Sequence, residues 1–325
     1  MPLLDSEILW RPAALASDVT PAQNGGRMAY AQLISGVKNN LFPDVSQAER
    51  TAGGVKWRKA FVHINSAQDS ALLNARLFLD ALTPAGDFVT FVPGTQTDTE
   101  DQISGRHYGI GSLYAAALAG SQQIQVICEH NARYAVLQPF RVGDLIRVAD
   151  RASTGGAGNE EWMTLSSVVY GADFVTLGLA APLSNSYGLT NTRVSSVYEL
   201  ARVAGNAYNF TVTTSNGQLD LSIGNATVPN KGGIDQHWTL TFNSSSSFTA
   251  AGVGVGSLAT GGSTSADFAP INPATGTPYF VLKSTLWTGS FIAGDRVTFE
   301  SAPAAIPVWY RREVPAGISS LANDF

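Results

Sequence analysis

The sequence has a single cysteine, Cys128, so no intramolecular disulfide can form and no zinc site can be built from cysteines. Residues 125–129 alternate apolar and polar side chains around it, as a β-strand does. We therefore expect Cys128 to be a small, buried side chain without a chemical role.

Charged residues are also scarce. They make up 14% of the chain, whereas about 25% is usual. The formal net charge is -5, which excludes a strongly basic surface of the kind that binds nucleic acid. No apolar run reaches roughly 18 residues, the length that a membrane span requires. Residues 1–7 lack the basic and apolar regions of a secretion signal. We expect no nucleic-acid partner, no membrane span and no signal peptide.

The motifs of common enzyme classes are missing as well. The sequence contains no G-x-S-x-G nucleophile turn, no H-E-x-x-H zinc motif and no phosphate-binding loop. Its four histidines are far apart along the chain: His63, His107, His130 and His237. We predict that the chain is not an enzyme and that it holds no cofactor and no metal ion.

Two clusters of acidic residues leave open an ion site and a polysaccharide-degrading activity. Asp98, Glu100 and Asp101 place three carboxylates within four residues, and carboxylates are the ligands that Ca²⁺ and Mg²⁺ prefer. Their spacing is not that of an EF-hand, so the sequence favours a solvated loop over an ion site. The pair Glu160 and Glu161 would serve a polysaccharide-degrading enzyme, which is the least supported class.

Regular alternation is what the sequence has in abundance. From Lys56 onward, short segments alternate apolar and polar side chains and are separated by turn residues. No segment beyond residue 60 has a clear helical period. We therefore predict an all-β fold of serial β-sandwich and small β-barrel modules. The predicted domains are a sandwich at 56–137, a small barrel at 138–200 and a second sandwich at 201–325.

Residues 1–55 combine prolines and turn residues with large apolar side chains. Such a segment is not a solvated linker. We predict an extended N-terminal arm that lies on a folded body, either its own or that of a neighbouring subunit, and we expect it to reach across to a neighbour. Ser46 and Glu49 have the spacing of a capping box, which predicts one or two turns of helix at this point.

One pattern occurs twice. Residues 140–148 and 291–299 both read F-x-x-G-D-x-[IV]-x-[VF], that is, an aromatic residue, a Gly-Asp turn and an alternating strand. Turns followed by strands are common in β proteins, so coincidence is favoured over duplication of a module. Either origin indicates successive β modules and not an enzyme built around one cleft.

Six segments are distinctive: PAQNGGRM (21–28), SGVKNNLFP (35–43), QAERTAGG (47–54), WRKAF (57–61), PGTQTD (93–98) and APAAIPVWYRREVPAG (302–317). Together they resemble virion structural proteins of tailed bacteriophages. The resemblance covers the first third of the chain and its last forty residues. It implies a virion component that assembles in the host cytoplasm with copies of itself and other phage structural proteins. The expected place is the tail tip or baseplate, with a capsid-associated protein as the alternative.

The residues expected at assembly contacts are large apolar groups that the local sequence leaves without a partner. They are Trp10, Leu41 and Phe42 in the arm, and Trp309 and Tyr310 in a segment that Pro307 and Pro315 are expected to limit to a short edge strand or an extended strap. A second hypothesis is a receptor-binding or adhesion component that recognises host-surface glycans. Exposed aromatic side chains on a β face, such as Trp162 or Trp287, would serve that function.

Overall fold

The computed structural model of the chain describes residues 3–83, 86–128, 131–151, 156–213 and 216–318. Of the four histidines, His130 lies outside the described residues. The described structure is all-β, with 25 strands and two short α-helices. The predicted fold class is therefore confirmed. Neither helix in this part of the chain has the length and hydrophobicity of a membrane-spanning helix.

The elements follow one another along the chain in three groups. The first is β1 (Ile8–Leu15), β2 (Gly25–Met28), α1 (Gln47–Ala52), β3 (Gly54–Ile64), β4 (Leu72–Leu77) and β5 (Phe88–Pro93). The second is β6 (Ile110–Leu113), β7 (Gln123–Ile127), α2 (Asn131–Leu137), β8 (Leu145–Ala149), β9 (Glu160–Tyr170), β10 (Val175–Leu179) and β11 (Arg193–Ser196). The third is β12 (Tyr198–Val203), β13 (Asn206–Thr213), β14 (Gln218–Leu219), β15 (Ala226–Thr227), β16 (Gln236–Phe242), β17 (Ser247–Gly252), β18 (Gly256–Ser257), β19 (Gly262–Ser263), β20 (Ile271–Asn272), β21 (Thr277–Pro278), β22 (Val281–Leu282), β23 (Trp287–Thr288), β24 (Arg296–Ala302) and β25 (Ala305–Val314).

One antiparallel sheet joins both ends of the chain, and we call it the terminal sheet. Its strand order is β2-β1-β3-β25-β5, so the last strand lies between two strands from the first third of the chain. It is a central strand of 10 residues and not the short edge strand or strap that Pro307 and Pro315 predicted. Pro307 is tolerated because the pairing of β25 with β5 begins one residue later, at Val308 opposite Pro93. The pairing of β25 with β3 runs from Ala305 opposite His63 to Val314 opposite Gly54. One face of the sheet packs on the β4–β12 ribbon through a core that includes Val62, Phe91, Ile306 and Val308.

The second unit is a closed barrel with the strand order β10-β7-β6-β11-β8-β9. Its interior is filled by apolar side chains such as Val126, Ile146, Leu177 and Val194. Cys128 is buried in the same core, as expected. A small barrel was predicted for residues 138–200, and a barrel is present. It also includes β6 and β7, which were predicted to belong to the preceding domain. They are required because β10 and β11 would otherwise be open edges.

The third unit is a sandwich of strands between Asn206 and Ala302. Its main sheet has the order β13-β24-β16-β17-β18, with β19 also paired to β17. The ribbons β14–β23 and β15–β22 cover this sheet over a core rich in aromatic side chains, including Trp238, Phe280 and Phe299.

These units are nested and not serial, which differs from the predicted division at residues 55, 137 and 200. The chain leaves the terminal sheet after β5, forms the barrel, returns with β12 to pair with β4, forms the sandwich and returns again as β25. Residues 1–55 contribute β1 and β2 to the terminal sheet, where Trp10 lies opposite Val62. The strands of the expected arm therefore lie on their own chain and do not reach across to a neighbour, because β3 offers β1 a paired edge within the same sheet. Local patterns reveal strands but not which distant strands pair, and this is why the boundaries differ.

Two local predictions are confirmed in detail. The repeated Gly-Asp pattern forms the same turn twice: the backbone N–H groups of Asp144 and Asp295 each donate to the carbonyl three residues earlier, at 3.1 Å in both cases. Each aspartate Oδ2 also accepts the backbone N–H of that earlier residue, at 2.8 Å and 2.9 Å. Helix α1 begins with the predicted capping box between Ser46 and Glu49.

Candidate functional site

Three of the residues expected at assembly contacts pack within the terminal sheet. Trp309 has an exposed fraction of 0%. Tyr310, on the opposite face, lies 6.1 Å from the ring of Trp10 and 6.3 Å from that of Phe91, measured between centroids. Burial raises the pKa of the Tyr310 hydroxyl. Tyr310 therefore has Trp10 and Phe91 as ring partners, whereas Trp309 on the other face packs against Trp57.

The two arm residues Leu41 and Phe42 are half-buried. The guanidinium of Arg312 lies 4.9 Å from the centre of the Phe42 ring, and its Nη1 donates to the carbonyl of Pro43 at 2.9 Å. The irregular segment 29–45 is thus attached to β25 at its end. Before that attachment, its apolar side chains Tyr30, Ile34 and Val37 are exposed.

Trp309 belongs to a buried charged group beneath the loop at residues 94–98. Its Nε1–H donates to Asp98 Oδ2 at 2.8 Å, and Asp98 Oδ1 lies 2.6 Å from Lys59 Nζ. The Lys59 side chain is fully buried, and Nζ also donates to the carbonyls of Gly26 and Asp98. Burial lowers the pKa of Lys59, and the Asp98 carboxylate opposes that shift. The buried Lys59 is therefore the counter-ion of Asp98.

This arrangement separates the three carboxylates of the candidate ion site at residues 98–101. Asp98 faces the protein interior, whereas Asp101 is exposed and Glu100 is half-buried at the surface. Among the described residues, no three His, Cys, Asp or Glu side chains are grouped so that they would hold a metal ion. The loop is a structural connection from the terminal sheet towards the barrel.

A groove with a volume of about 380 Å³ opens beside this loop. Trp57 of β3 and His107 line it, with ring centroids 5.8 Å apart and planes inclined at 43°. Burial, followed by the nearby Arg311 charge, lowers the pKa of His107 to about 4, so its imidazole is neutral at pH 7. Glu100, Asp101, Ser104 and Pro21 are among the other lining residues.

The carboxylates of the groove are only partly engaged by the protein. Glu100 Oε2 accepts the side-chain amide of Asn24 at 2.7 Å, and Asp101 Oδ1 accepts the hydroxyl of Thr99 at 2.6 Å. On the other side, His107 Nδ1 is 3.0 Å from the hydroxyl of Thr90. The groove therefore presents an indole, an imidazole, a hydroxyl and two carboxylates to a ligand.

The aromatic residues predicted for glycan binding, Trp162 and Trp287, lie away from this groove. Trp162 on the barrel packs edge-on to Phe78 at 5.6 Å, and the guanidinium of Arg76 lies 4.5 Å from its ring centre. Trp287 is a core residue of the sandwich, 5.7 Å from Phe242. Trp287 is buried in the core, and Trp162 is half-buried against Phe78 and Arg76; neither indole lines the groove beside Trp57.

The acids next to Trp162 are also engaged. Glu160 forms ion pairs with Arg147 and Arg151. Glu161 accepts the backbone N–H groups of Ser184 and Asn185 at 2.7 Å and 2.8 Å, which fixes the loop after β10. Both carboxylates therefore stabilise the barrel.

His63 connects the terminal sheet to the sandwich. Arg11 Nε donates to its Nδ1 at 2.9 Å, and its Nε2 lies 2.8 Å from the carbonyl of Asn230. A carbonyl only accepts, so Nε2 carries the proton and the ring is neutral. Burial lowers the pKa of His63 to about 4, and the Arg11 charge acts in the same direction.

We expect the chain to lose stability in acid through His63. The folded-state pKa of about 4 lies below the reference value of 6.5, so the contribution of the neutral ring is complete above pH 6.5 and is lost as the pH falls towards 4. The loss is about 3 kcal/mol by pH 4.

Denaturant unfolding at pH 7 and pH 4 checks this, because His63→Gln should remove that part of the pH dependence. The exposed His237 on β16 is the control: His237→Gln should keep it. An unchanged pH dependence in His63→Gln would contradict the expectation.

No sequence pattern joins the groove residues into one site. Glu100 and Asp101 stand out as neighbouring acids and Trp57 lies in the segment 57–61, but Trp57, Glu100 and His107 are separated by up to fifty positions. The register of the terminal sheet joins them: Trp57 lies opposite Arg311, Arg311 opposite Thr90, and Thr90 contacts His107. Within β3, the alternation of side chains predicts only that Trp57 and Lys59 lie on the same face of the strand.

No protein-family model, curated protein or solved structure matches the chain. Its function is therefore inferred from its own residues.

Proposed function

We propose that the chain is a structural subunit of a tailed-bacteriophage particle, at the tail tip or baseplate. The observation that carries the proposal is where the phage-like segments lie. Residues 21–28 contain β2, 47–54 contain α1 and the first residue of β3, 57–61 lie in β3 and 302–317 contain β25. The segment 93–98 contributes Asp98, which binds Lys59 and Trp309. Segments distant in sequence thus meet in one unit.

This convergence supports a shared assembly unit with two insertions. The terminal sheet holds both ends of the chain through the long pairing of β3 with β25, and the barrel and the sandwich extend from it. The acids singled out in the barrel are used to fix its strands and loops. Such a design suits a protein whose surfaces meet other subunits.

Purified particles of the virus that encodes the chain provide the direct test. We expect mass spectrometry to detect the chain in several copies per particle. Antibodies raised against it should label the tail tip or baseplate in electron micrographs. Label on the head would favour the alternative, a capsid-associated protein, and absence of the chain from purified particles would contradict a structural role.

The segment 29–45 is where we expect a contact with a neighbouring subunit. Ile34 and Val37 are exposed by 59% and 53%, although β2 before the segment pairs with β1, and Phe42 near its end contacts Arg312 of β25. The double variant Ile34→Ser, Val37→Ser should weaken self-association by about tenfold or more and leave the melting temperature unchanged. Sedimentation velocity measures the effect.

Val253→Ser is the matched control, because Val253 is an exposed apolar residue on the sandwich. This variant should associate like the wild type. If the double variant also associates like the wild type, the segment 29–45 is not the subunit contact.

A further inference from the structure

The groove beside Trp57 has no role in the proposed assembly function. Trp57 contributes to it from β3 and Val92 from β5, and it is bordered by the turn at Pro21 and by the loop that contains Glu100 and Ser104. Its volume of about 380 Å³ falls within the range of small-molecule sites, which is roughly 300–1,000 Å³. Trp57 is half-buried, so part of its indole faces the groove.

The charges of the groove exclude an anionic ligand. Its acidic members are Glu100 and Asp101, and His107 is neutral at pH 7. The positive group behind Trp57 is Arg311, whose guanidinium lies 6.0 Å from the indole centre and forms an ion pair with Glu313. A phosphate or carboxylate ligand would therefore meet two unneutralised carboxylates at the opening.

The free polar atoms favour a ligand that both donates and accepts hydrogen bonds. Within the described residues, Glu100 Oε1 and Asp101 Oδ2 have no protein partner and only accept. The Ser104 hydroxyl and His107 Nε2 supply a donor as well as acceptors. A simple cation would use the carboxylates alone, and the hydroxyl groups of a sugar would use all of these atoms.

The apolar part of the lining agrees with the same ligand class. Trp57, Val92 and Ile103 provide apolar surface next to the polar atoms. A pyranose ring has an apolar C–H face and a rim of hydroxyl groups, and an indole beside hydrogen-bonding side chains is complementary to both. We propose that the groove between Trp57 and the loop of Glu100 and Asp101 binds a neutral saccharide.

Saturation-transfer NMR on the full chain tests this with a defined panel: the methyl glycosides of glucose, galactose, mannose and N-acetylglucosamine. We expect saturable binding of at least one glycoside. Ser104→Trp, which fills the groove from an exposed position, should weaken that binding by about tenfold or more. Trp57→Ala should do the same, and its melting curve shows whether the terminal sheet is intact. Tyr114→Ala, at an exposed aromatic residue of the barrel, should bind like the wild type.

Three outcomes would overturn the proposal. The first is no saturable binding of any glycoside. The second is binding that Ser104→Trp leaves unchanged, which would place the site elsewhere. The third is binding of spermidine but not of glycosides, with an affinity that falls steeply with salt, as for a cation site. None of these outcomes bears on whether the chain is present in virus particles, so the two proposals fail independently.

Discussion

Replacing Asp98 by alanine is expected to lower the free energy of unfolding by about 3–5 kcal/mol. Lys59 Nζ is fully buried and has Asp98 as its ion-pair partner at 2.6 Å. Removing the carboxylate leaves a buried ammonium without a counter-charge and also deprives Trp309 Nε1 of its acceptor. Denaturant unfolding followed by tryptophan fluorescence measures the loss.

Two further variants separate charge from packing. Asp98→Asn keeps the shape of the side chain and should cost less than alanine. The double variant Lys59→Met, Asp98→Leu removes both charges and should recover much of the loss, because an apolar pair avoids the cost of burying ions. A loss below about 1 kcal/mol for Asp98→Ala would mean that solvent reaches Lys59 and that the pair is not buried in solution.

Replacing Trp309 by alanine should cost about 3–5 kcal/mol, the range for large aromatic side chains in a core. The indole fills the space between β25 and the glycines of two neighbouring segments. A Cβ built on Gly25 would lie 2.5 Å from Trp309 Cη2, and one on Gly94 would lie 2.9 Å from Cδ1. Alanine therefore leaves a large cavity and abolishes the hydrogen bond to Asp98.

The matched control for Trp309 is Trp162, a half-buried indole on the barrel. Trp162→Ala should cost clearly less, because that side chain already contacts solvent. Trp309→Phe should fall between the two, since it keeps most of the ring volume but loses the N–H donor. A change below about 0.5 kcal/mol for Trp309→Ala would place the ring on an open surface.

Local features of the fold could be predicted because their causes lie within a few residues. Alternation of apolar and polar side chains predicts the strand β3, and Gly-Asp predicts the turns at Asp144 and Asp295. The spacing of Ser46 and Glu49 predicts the start of α1. Each depends on backbone geometry and hydrogen bonds between near neighbours.

The same local reasoning placed Trp309 and Trp10 at a subunit contact. Both side chains need burial, and the sequence near them offers no partner. The partners come from far along the chain: Asp98 for Trp309, and Tyr310 for Trp10. A hydrophobic pattern predicts that a group is buried but not what buries it.

By itself, the sequence determined that this protein is built from strands, that one cysteine is buried and that large aromatic side chains near both ends must be buried. Only the tertiary structure decided that β25 lies between β3 and β5, so that the ends of the chain share one sheet. That pairing places Lys59 against Asp98 and Trp57 against His107, and thereby creates both the buried ion pair and the open groove. The physical reason is that strand pairing across hundreds of residues depends on complementary surfaces and edges, which local periodicity does not encode.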